Sequence, residues 1–500
     1  MSQDQGKPQV WGGRLAESPA QANVRFCAGR DVSALPMADQ DLVFWDIWTN
    51  LAHAKMLSEV GVLNNEEYRQ IYNALKSLDP DQFVLDPGKE DVHINLEHYL
   101  TYQCGIEAGK KIHSGRSRND QVATDMRLYL RDRLLHFTGH LSELALAVIE
   151  RAEGLKEAVM PGFTHYQPGM PTTAAHWLTA WSQALLRDLN ALMDNFKGMN
   201  RCPLGSAASF GTSWPIDRER TAELLAFDGV EENSLDAISS RGEQEARVAA
   251  SIAVAMNHLS QISQDLILWS TPFYGFAKVA DRFVTGSSIM PQKRNPDFAE
   301  IIRAKAAQTT GSLTSLLGIA KGAMSGYNRD SQQTKYLIMD LFREVMDAPL
   351  ILAGVVESLT FDEAAMRAAC NKDFLNAADV ADFLAQRFSL SFRDCYEVLS
   401  LAVKYSSEES GQLTLGGLQR AVTERGLADQ VVLDASEVAR LNDAVQLLKE
   451  KTHTGAPSPE AVAQLIQRQR EQLGQLQEQL GQLKMKLAVR EVEALVALRP

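Results

Sequence analysis

Apolar residues recur three and four positions apart through long stretches of this 500-residue chain. Such spacing places them on one face of a helix. Two of these stripes consist of Leu178, Trp181, Leu185 and Leu189, and of Ile252, Met256, Leu259, Ile262 and Leu266. Proline costs roughly 3 kcal/mol inside a helix, and none occurs at 88–160, 216–271, 297–348 or 350–456. Valine and isoleucine rarely alternate with polar residues, so the pattern predicts an all-α protein.

Two of the predicted helices are apolar on more than one face. The segments 248–269 and 298–321 are rich in alanine, isoleucine, leucine, serine and threonine and carry few charges. Helices of this kind are buried in a large bundle or at a contact between subunits. We therefore expect a homo-oligomer.

A leucine stripe marks the C-terminal tail, where glutamines and charged residues fill the other faces. The stripe consists of Leu473, Leu476, Leu480, Leu483 and Leu487. It fits either a coiled-coil contact with another chain or an amphipathic helix packed on its own subunit, and we favour the second because the stripe is short. Gly474 and Gly481 lie within it, and each costs about 1 kcal/mol relative to alanine.

Composition narrows the possible classes of protein. The formal net charge of -13 and the lack of a dominant basic segment argue against nucleic-acid binding. The five cysteines lie far apart, without the spacing of zinc ligands. Neither a signal pattern at the N-terminus nor an apolar run of the ~20 residues that span a bilayer is found. We expect a cytoplasmic protein that contacts neither membranes nor nucleic acid.

The segment Thr285–Pro296 combines a loop with chemistry suited to an acidic ligand. Glycine and two serines begin it, two prolines restrict its backbone, and Lys293 and Asn295 can donate hydrogen bonds to carboxylates. Glu300 follows at the start of the next predicted helix and could hold a histidine in one tautomer. The segment is typical of a loop that closes over an acidic substrate.

Three further polar clusters are candidate sites. Residues 113–120 precede a predicted helix that Asn119 or Asp120 could cap, with Arg116 near the positive helix end. Residues 161–168 form a short, proline-bounded segment between helices, in which His165 is a candidate acid or base. Residues 90–93 place acids beside His93, although a helix start would explain those acids equally well.

Taken together, the clusters resemble one family. The motifs HSGRSRNDQ at 113–121, Thr164–Gln167 and GSSIMPQKRNPD at 286–297 are similar to the three signature regions of the fumarase/aspartase superfamily. Gln292, GRSRND and the spacing of Tyr327, Gln332 and Lys335 resemble its argininosuccinate lyase branch. The resemblance extends from residue 11 through 362, more weakly to 457, and stops before the tail.

The resemblance implies an all-α, three-domain fold of fumarase/aspartase type with a long central helical bundle shared across a homotetramer. We expect an N-terminal helical domain at 1–114, the central bundle at 115–366, a small helical domain at 367–465 and the leucine-striped tail at 466–500. Each active site would take its signature regions from three subunits. The resemblance implies neither a metal nor an organic cofactor.

The resemblance also implies a carbon–nitrogen lyase that releases fumarate from an N-substituted aspartate by trans elimination, through a carbanion held as an aci-carboxylate. Ser287 would remove the Cβ proton, while Lys293 and Asn295 would hold the succinyl carboxylates. His165, paired with Glu300, would support the opposite proton transfer. The remaining substrate contacts would be Arg116, Ser117, Asn119, Thr164, Ser288, Met290, Tyr327, Gln332, Lys335 and His93.

The chain departs from the branch in three segments, at 32–39, 239–242 and 333–334, where serine and acidic residues of the family pattern are replaced. These positions would recognise the leaving amine, and acids that bind a guanidinium group are missing there. Argininosuccinate is the favoured substrate, ahead of another N-substituted aspartate such as ethylenediamine-N,N'-disuccinate. A crystallin-like structural protein and a scaffold recruited through the tail are the other possibilities.

Overall fold

The protein is described by a computed structural model that covers residues 20, 22–23, 37–89, 91–407 and 412–500. It is 68% helical, which confirms the all-α prediction. The residues at which the family resemblance begins, 11–14, most of the departure at 32–39, and residue 90 lie outside the described residues. No helix in the covered ranges is both long and apolar enough to cross a membrane.

The N-terminal helices precede the first signature region. They are α1 (Val43–Glu59), α2 (Asn65–Ser77) and α3 (Val92–Lys111), with a short 3-10 turn at Ala38–Leu42 before α1. Helix α3 is kinked at Gly105, whose φ of 80° is outside the helical region. This φ divides α3 into two helical pieces. Glycine suits the position because other residues rarely adopt a positive φ.

Four long helices form the centre of the molecule. They are α4 (Arg118–Glu153), α5 (Ala174–Met199), α8 (Glu243–Trp269) and α9 (Asp297–Ala320). Helix α4 packs on α5, and α8 packs on both α5 and α9. Shorter helices complete this part: α6 (Arg218–Leu224), α7 (Ser234–Ser239), α10 (Gln333–Val345) and α11 (Ala348–Ser358).

The start of α4 differs in detail from the prediction. Ser117, not Asn119 or Asp120, is the N-cap: its hydroxyl accepts a hydrogen bond from the backbone N–H of Asn119. The carboxylate of Asp120 reaches back to accept from the backbone N–H of Ser117, which completes a capping box. A serine with an acid three residues later satisfies two free N–H groups at once, and this fixes where α4 begins within the first signature region.

A β-hairpin occupies the segment that was predicted to be a short connection between helices. Its strands, β1 (Val159–Thr164) and β2 (Gln167–Thr173), are antiparallel and joined by a two-residue turn. Both turn residues, His165 and Tyr166, have positive φ, at 54° and 59°. Two positive φ angles define the tight turn whose twist matches that of paired strands. The prolines are tolerated because a two-stranded sheet leaves outer N–H positions unpaired.

A second, very short strand pair joins β3 (Ala277–Lys278) to β4 (Thr360–Phe361). Helix α12 (Glu363–Cys370) follows, and its Met366 is buried in the central core. The next helices form a core of their own around residues such as Val398 and Leu418. They are α13 (Ala377–Phe388), α14 (Phe392–Ser407), α15 (Leu415–Glu424), α16 (Ala435–Leu441) and α17 (Ala444–Lys449). The predicted domain limits stay predictions.

The C-terminal helix α18 (Pro459–Ala497) returns to the central core. It packs on α4 and α5, and its leucines at 473, 476 and 480 are buried there. The stripe therefore packs on its own chain, as the favoured interpretation of the tail proposed. Gly474 and Gly481 lie inside this helix with open space around them.

Candidate active site

The segment Thr285–Pro296 is a loop closed at its base by backbone hydrogen bonds. Thr285 N–H donates to the carbonyl of Asn295 at 3.0 Å, and Asn295 N–H donates to the carbonyl of Thr285 at 2.8 Å. The Asn295 side chain adds a bond from Nδ2 to the carbonyl of Gly286 at 3.2 Å. The loop base is thus fixed, while Ile289 at the far end is 84% exposed.

Ser287 lies near the start of this loop and has an unusual hydroxyl environment. Its Oγ accepts hydrogen bonds from the backbone N–H groups of Ile289, at 3.3 Å, and Met290, at 3.1 Å. Hydrogen bonds to the charged form of a group favour that form. Two N–H donors on one oxygen therefore stabilise an alkoxide at Ser287.

A wide cavity of about 1020 Å³ lies beside the loop. Gln292, Lys293, Asn295 and Glu300 contribute to its wall. Lys293 and Glu300 are both exposed in the single chain. Their charges therefore face solvent and remain accessible to a ligand or to another subunit.

His165 lies at the tip of the hairpin and lines a different cavity, of about 410 Å³. Thr164, which pairs with Gln167 at the end of the strands, is exposed beside it. Glu300 does not line this cavity. Within one chain, the two residues of the predicted His165–Glu300 pair therefore line different cavities.

A third cavity, of about 540 Å³, collects most of the other predicted residues. Those in its wall are His93, Ser117, Asn119, Tyr327, Gln332 and Lys335. Arg241 joins them, with its guanidinium 5.4 Å from the centre of the Tyr327 ring. Cationic groups and hydrogen-bond donors thus dominate this wall, which suits a ligand bearing carboxylates.

Two ion pairs supply acids to the same wall. Lys335 Nζ lies 2.5 Å from Asp39 Oδ1, and Arg118 Nη1 lies 2.8 Å from Asp91 Oδ2. Asp39 was not singled out from the sequence as a site residue. Its position shows that the wall offers carboxylates to a cationic ligand group as well as cations to an anionic one.

Behind this wall lies a buried network of charged residues. His93 Nδ1 is 2.9 Å from Asp46 Oδ1 and 3.6 Å from Asp125 Oδ2. Arg116 is buried beside them and donates from Nη2 to Asn50 Oδ1 at 2.6 Å. Arg116 is buried and does not line the cavity, and its predicted substrate contact stays a prediction.

The two buried acids of this network have pKa values that are shifted in opposite directions. Burial favours the neutral form of Asp46, but the charge and hydrogen bond of His93 outweigh it and lower the pKa of that carboxyl. Burial, with the adjacent charge of Asp46, raises the pKa of Asp125 well above its ordinary value. The pKa values of these two neighbouring carboxyl groups are therefore shifted in opposite directions beside His93 and Arg116.

Asp46, His93 and Asp125 are also close enough to hold a metal ion. One oxygen of each acid already accepts a hydrogen bond, Asp46 Oδ1 from Gln121 at 2.5 Å and Asp125 Oδ1 from Thr49 at 2.6 Å. The sequence carries a signal for this network that was missed. Asp46 interrupts a helix whose other nearby residues are apolar, and a buried acid in such a helix needs a partner.

The predicted residues thus fall on separate surfaces of one chain. One cavity holds Lys293, Asn295 and Glu300, a second holds His165, and a third holds the group around Lys335. Ser287, Ser288 and Met290 are on the loop, and none of the three lines these cavities. None of these three cavities is lined by residues from all three signature regions.

The departures at 239–242 and 333–334 lie mostly behind the third cavity. A side chain at Gly242 would meet Thr334 Cγ2 at 2.8 Å, and neither residue lines the wall. Arg241 is the residue of these two segments that does line it. Replacement of acids at Gly242 and Thr334 therefore leaves Asp39 and Asp91 as the acids that face the cavity.

Comparison with known proteins identifies the family. A family model described as Lyase matches residues 34–311. The argininosuccinate lyase of Pseudomonas entomophila is 41% identical over 464 residues, which cover 92% of this chain and 97% of that protein. The argininosuccinate lyase of Halorhodospira halophila is 40% identical over 484 residues, covering 95% of this chain and all of that protein.

Solved structures share the fold. The structure of EDDS lyase in complex with formate has a TM-score of 0.89 and 27% identity and covers 98% of both chains. A fumarate lyase from Mesorhizobium sp. BNC1 has a TM-score of 0.70 at 16% identity, covering 90% of this chain and 99% of that one. The matched family model, the close relatives and the signature motifs agree: the chain belongs to the argininosuccinate lyase branch of the fumarase/aspartase superfamily.

Proposed function

We propose that this protein cleaves argininosuccinate to arginine and fumarate by trans elimination. The observation that carries the proposal is the Ser287 loop, in which two backbone N–H groups point at a serine hydroxyl beside a cavity lined by Lys293 and Asn295. Such a site can both remove a proton and hold carboxylates. The relatives named above, which cover nearly the whole chain, support the choice of substrate.

Ser287 takes the Cβ proton of the succinyl group in this proposal. A hydroxyl is a weak base at neutral pH, so its alkoxide needs stabilisation. The N–H groups of Ile289 and Met290 provide part of it, and the exposed ammonium of Lys293 provides more when the loop closes over the substrate. Lys293 and Asn295 also hold the carboxylate on which negative charge accumulates.

His165 and Glu300 act together on the opposite proton transfer, to the leaving nitrogen. Because they line different cavities of one chain, the pair is made between subunits of a homotetramer. The exposed apolar surface of α9 supports this assembly: Leu317 is 58% exposed, and Met324 just beyond the helix is 84% exposed. Apolar patches of this kind are covered in oligomers.

The cavity around Lys335 recognises the leaving half of the substrate. Asp39 and Asp91 face it and can accept hydrogen bonds from a guanidinium group, while Arg241 and Gln332 can bind an amino-acid carboxylate. This arrangement favours arginine as the leaving amine, in spite of the neutral residues at Gly242 and Thr334.

A sister activity on ethylenediamine-N,N'-disuccinate is the second candidate. The high structural similarity to EDDS lyase, over 98% of the chain, favours it. Both substrates carry a succinyl group on nitrogen and yield fumarate, so the two candidates differ in the leaving half alone.

Fumarate release from the two substrates separates the candidates. The purified protein is incubated with each compound, and fumarate is followed by its ultraviolet absorbance. We expect turnover of argininosuccinate and little or none of the disuccinate. The reverse preference would assign the second function, and silence toward both would remove lyase activity altogether.

A further inference from the structure

The backbone of Tyr327, which lines the cavity around Lys335, is held by two serine hydroxyls from distant parts of the chain. The N–H of Gly326 donates to Ser239 Oγ at 2.7 Å, and the N–H of Tyr327 donates to Ser209 Oγ at 3.1 Å. These two N–H groups lie between α9 and α10, outside any helix. Side chains, instead of helix hydrogen bonds, therefore fix this part of the cavity wall.

Ser239 ends α7, and its hydroxyl both donates and accepts. Its Oγ donates to the carbonyl of Leu235 at 2.7 Å within the helix and accepts from Gly326. A serine hydroxyl has one hydrogen to donate and lone pairs that accept. Because the bond to Leu235 uses the hydrogen, the lone pairs of Ser239 are left for Gly326.

Ser209 is held in an unfavourable backbone conformation. It is fully buried and has a φ of 111°. Residues other than glycine rarely adopt a positive φ, and such strain is found mainly at functional sites, where the surrounding structure imposes it. The strain and the bond to Tyr327 occur at the same residue. This coincidence indicates that the position of the Ser209 hydroxyl matters to the cavity.

The loop that carries Ser209 is anchored to the start of α4. Asp120 Oδ2 accepts hydrogen bonds from the N–H groups of Gly205, at 2.9 Å, and Ala207, at 2.7 Å. Asp120 lies in the first turn of α4, next to Asn119, which lines the same cavity. The strained loop and the cavity wall are thus tied to one helix start.

The ring of Tyr327 in turn supports Arg241, whose guanidinium lies 5.4 Å from the ring centre. Both residues line the cavity. Arg241 Nη1 is buried and has no hydrogen-bond partner in the described part of the chain. A buried donor without a partner is costly, and a ligand carboxylate would satisfy it. The orientation of the Tyr327 ring therefore affects how Arg241 meets a ligand.

We propose that Ser209 and Ser239 are positioning residues, which hold the backbone of Tyr327, and through its ring Arg241, in the orientation that binds the leaving half of the substrate. Neither serine lines the cavity, so both act through Tyr327. The inference rests on the proposed function, in which this cavity recognises the leaving half. Because the proton transfers are assigned to residues outside this cavity, the serines should affect substrate binding more than chemistry.

Ser239→Ala tests the role of the first serine in the full-length protein. Initial rates of fumarate release are measured over a range of argininosuccinate concentrations. Loss of one hydrogen bond to the cavity wall should raise KM about three- to tenfold and leave kcat within about twofold of the original value. Ser407→Ala is the matched control, because Ser407 also ends a helix and donates to the carbonyl four residues before it, but lines none of the three cavities. An unchanged KM in Ser239→Ala would overturn the proposal.

Ser209→Gly separates the hydroxyl from the strain. Glycine relieves the positive φ but cannot bind Tyr327, so KM should rise while the melting temperature stays level or rises. Ala207→Gly is the matched control, because its φ of 53° is relieved in the same way and no hydroxyl is lost. A positioning role predicts a raised KM in Ser209→Gly alone. An equal rise in both variants would assign the effect to loop freedom and overturn the role of Ser209.

A double variant tests whether the effect passes through Tyr327. In a Tyr327→Ala background the serine has no ring left to position, so adding Ser239→Ala should raise KM by less than about twofold. A full further rise would place the effect of Ser239 elsewhere and overturn the proposal. Should Ser209→Gly fail to fold, a normal KM in Ser239→Ala would still be sufficient to reject it.

Failure of this inference can be told apart from failure of the proposed function. If the original protein releases no fumarate from argininosuccinate, the proposed function is rejected, and the role of the serines falls with it. If the original protein is active and KM is unchanged in Ser209→Gly and Ser239→Ala, the positioning role alone is rejected.

Discussion

At the scale of single residues, the surroundings of Ser287 and His165 decide what they can do. Ser287 receives two backbone N–H bonds, and His165 is placed at a hairpin tip where its ring is exposed. Both are thus positioned by backbone geometry. A loop closed at its base and a two-residue turn hold these two residues in place.

His165→Asn tests the acid–base role of the histidine. Asparagine tolerates a positive φ, so the turn and the melting temperature should be preserved. We expect turnover to fall at least about 100-fold, the usual effect of losing a general acid or base. Tyr166→Asn is the matched control, because Tyr166 has nearly the same φ and no proposed part in the reaction. Equal losses in both variants would point to the turn instead of the imidazole.

His53→Gln tests how the buried network responds to pH. His53 is buried, its Nε2 is 2.9 Å from the carbonyl of Ser114, and burial together with the charge of Arg116 holds its pKa well below the usual value. The unfolded chain therefore takes up a proton below about pH 6.5 that the folded chain does not. The stability that the neutral, buried His53 contributes is complete above about pH 6.5 and is lost as pH falls.

Urea unfolding at about pH 7.5 and pH 5 measures this effect. The original protein should lose up to about 1.4 kcal/mol more per pH unit below pH 6.5 than His53→Gln does. Glutamine can still donate to the carbonyl of Ser114 but does not titrate. His136→Gln is the control, because it makes the same replacement at an exposed histidine. Identical slopes in all three proteins would contradict the buried-histidine explanation.

At the scale of elements, the positions of prolines and helix caps explain which helices and strands could be predicted from the sequence. The absence of proline located the long helices, since an interior proline is so costly. The hairpin at 159–173 was missed because its three prolines and two glycines mask strand periodicity, and its turn uses His165 and Tyr166 in place of the usual asparagine and glycine. Asp46 in an otherwise apolar helix signals that a buried partner is needed, but the partners on other helices leave no local pattern, so the network was missed.

Gly474→Ala and Gly481→Ala test the cost of glycine in α18. Both positions are exposed within the helix, with open space for an added Cβ atom. Each change should raise the free energy of unfolding by roughly 0.5–1 kcal/mol. Gly105→Ala is the contrasting control: it also has open space, but its φ of 80° should make alanine destabilising. Unfolding curves in urea should show a gain of stability for the two tail variants and a loss for Gly105→Ala. A loss of stability in the tail variants would contradict the prediction.

At the scale of the whole molecule, the separation of the signature regions is the main feature. The Ser287 loop and His165 belong to different surfaces of one chain, and α9 exposes apolar residues beyond its buried first half. The family resemblance implied a site shared among subunits. The shared site and the tetramer both stay proposals.

Mixed oligomers test whether the site is shared. Ser287→Ala and His165→Asn chains are co-expressed with different affinity tags, and oligomers that carry both tags are isolated. If each site takes these two residues from different subunits, about a quarter of the sites in random 1:1 mixtures contain both original residues. Activity should return to about that fraction of normal. No recovery above the single variants would place both residues in one subunit's site.

The rate of fumarate release from argininosuccinate by Ser287→Ala, relative to the original protein, tests the central claim most directly. The original protein should release fumarate readily, and the variant should be slower by a factor of about a thousand or more, since no other base lies at that position. Calorimetry should show that the variant still binds the substrate. Near-normal turnover by Ser287→Ala would contradict the account.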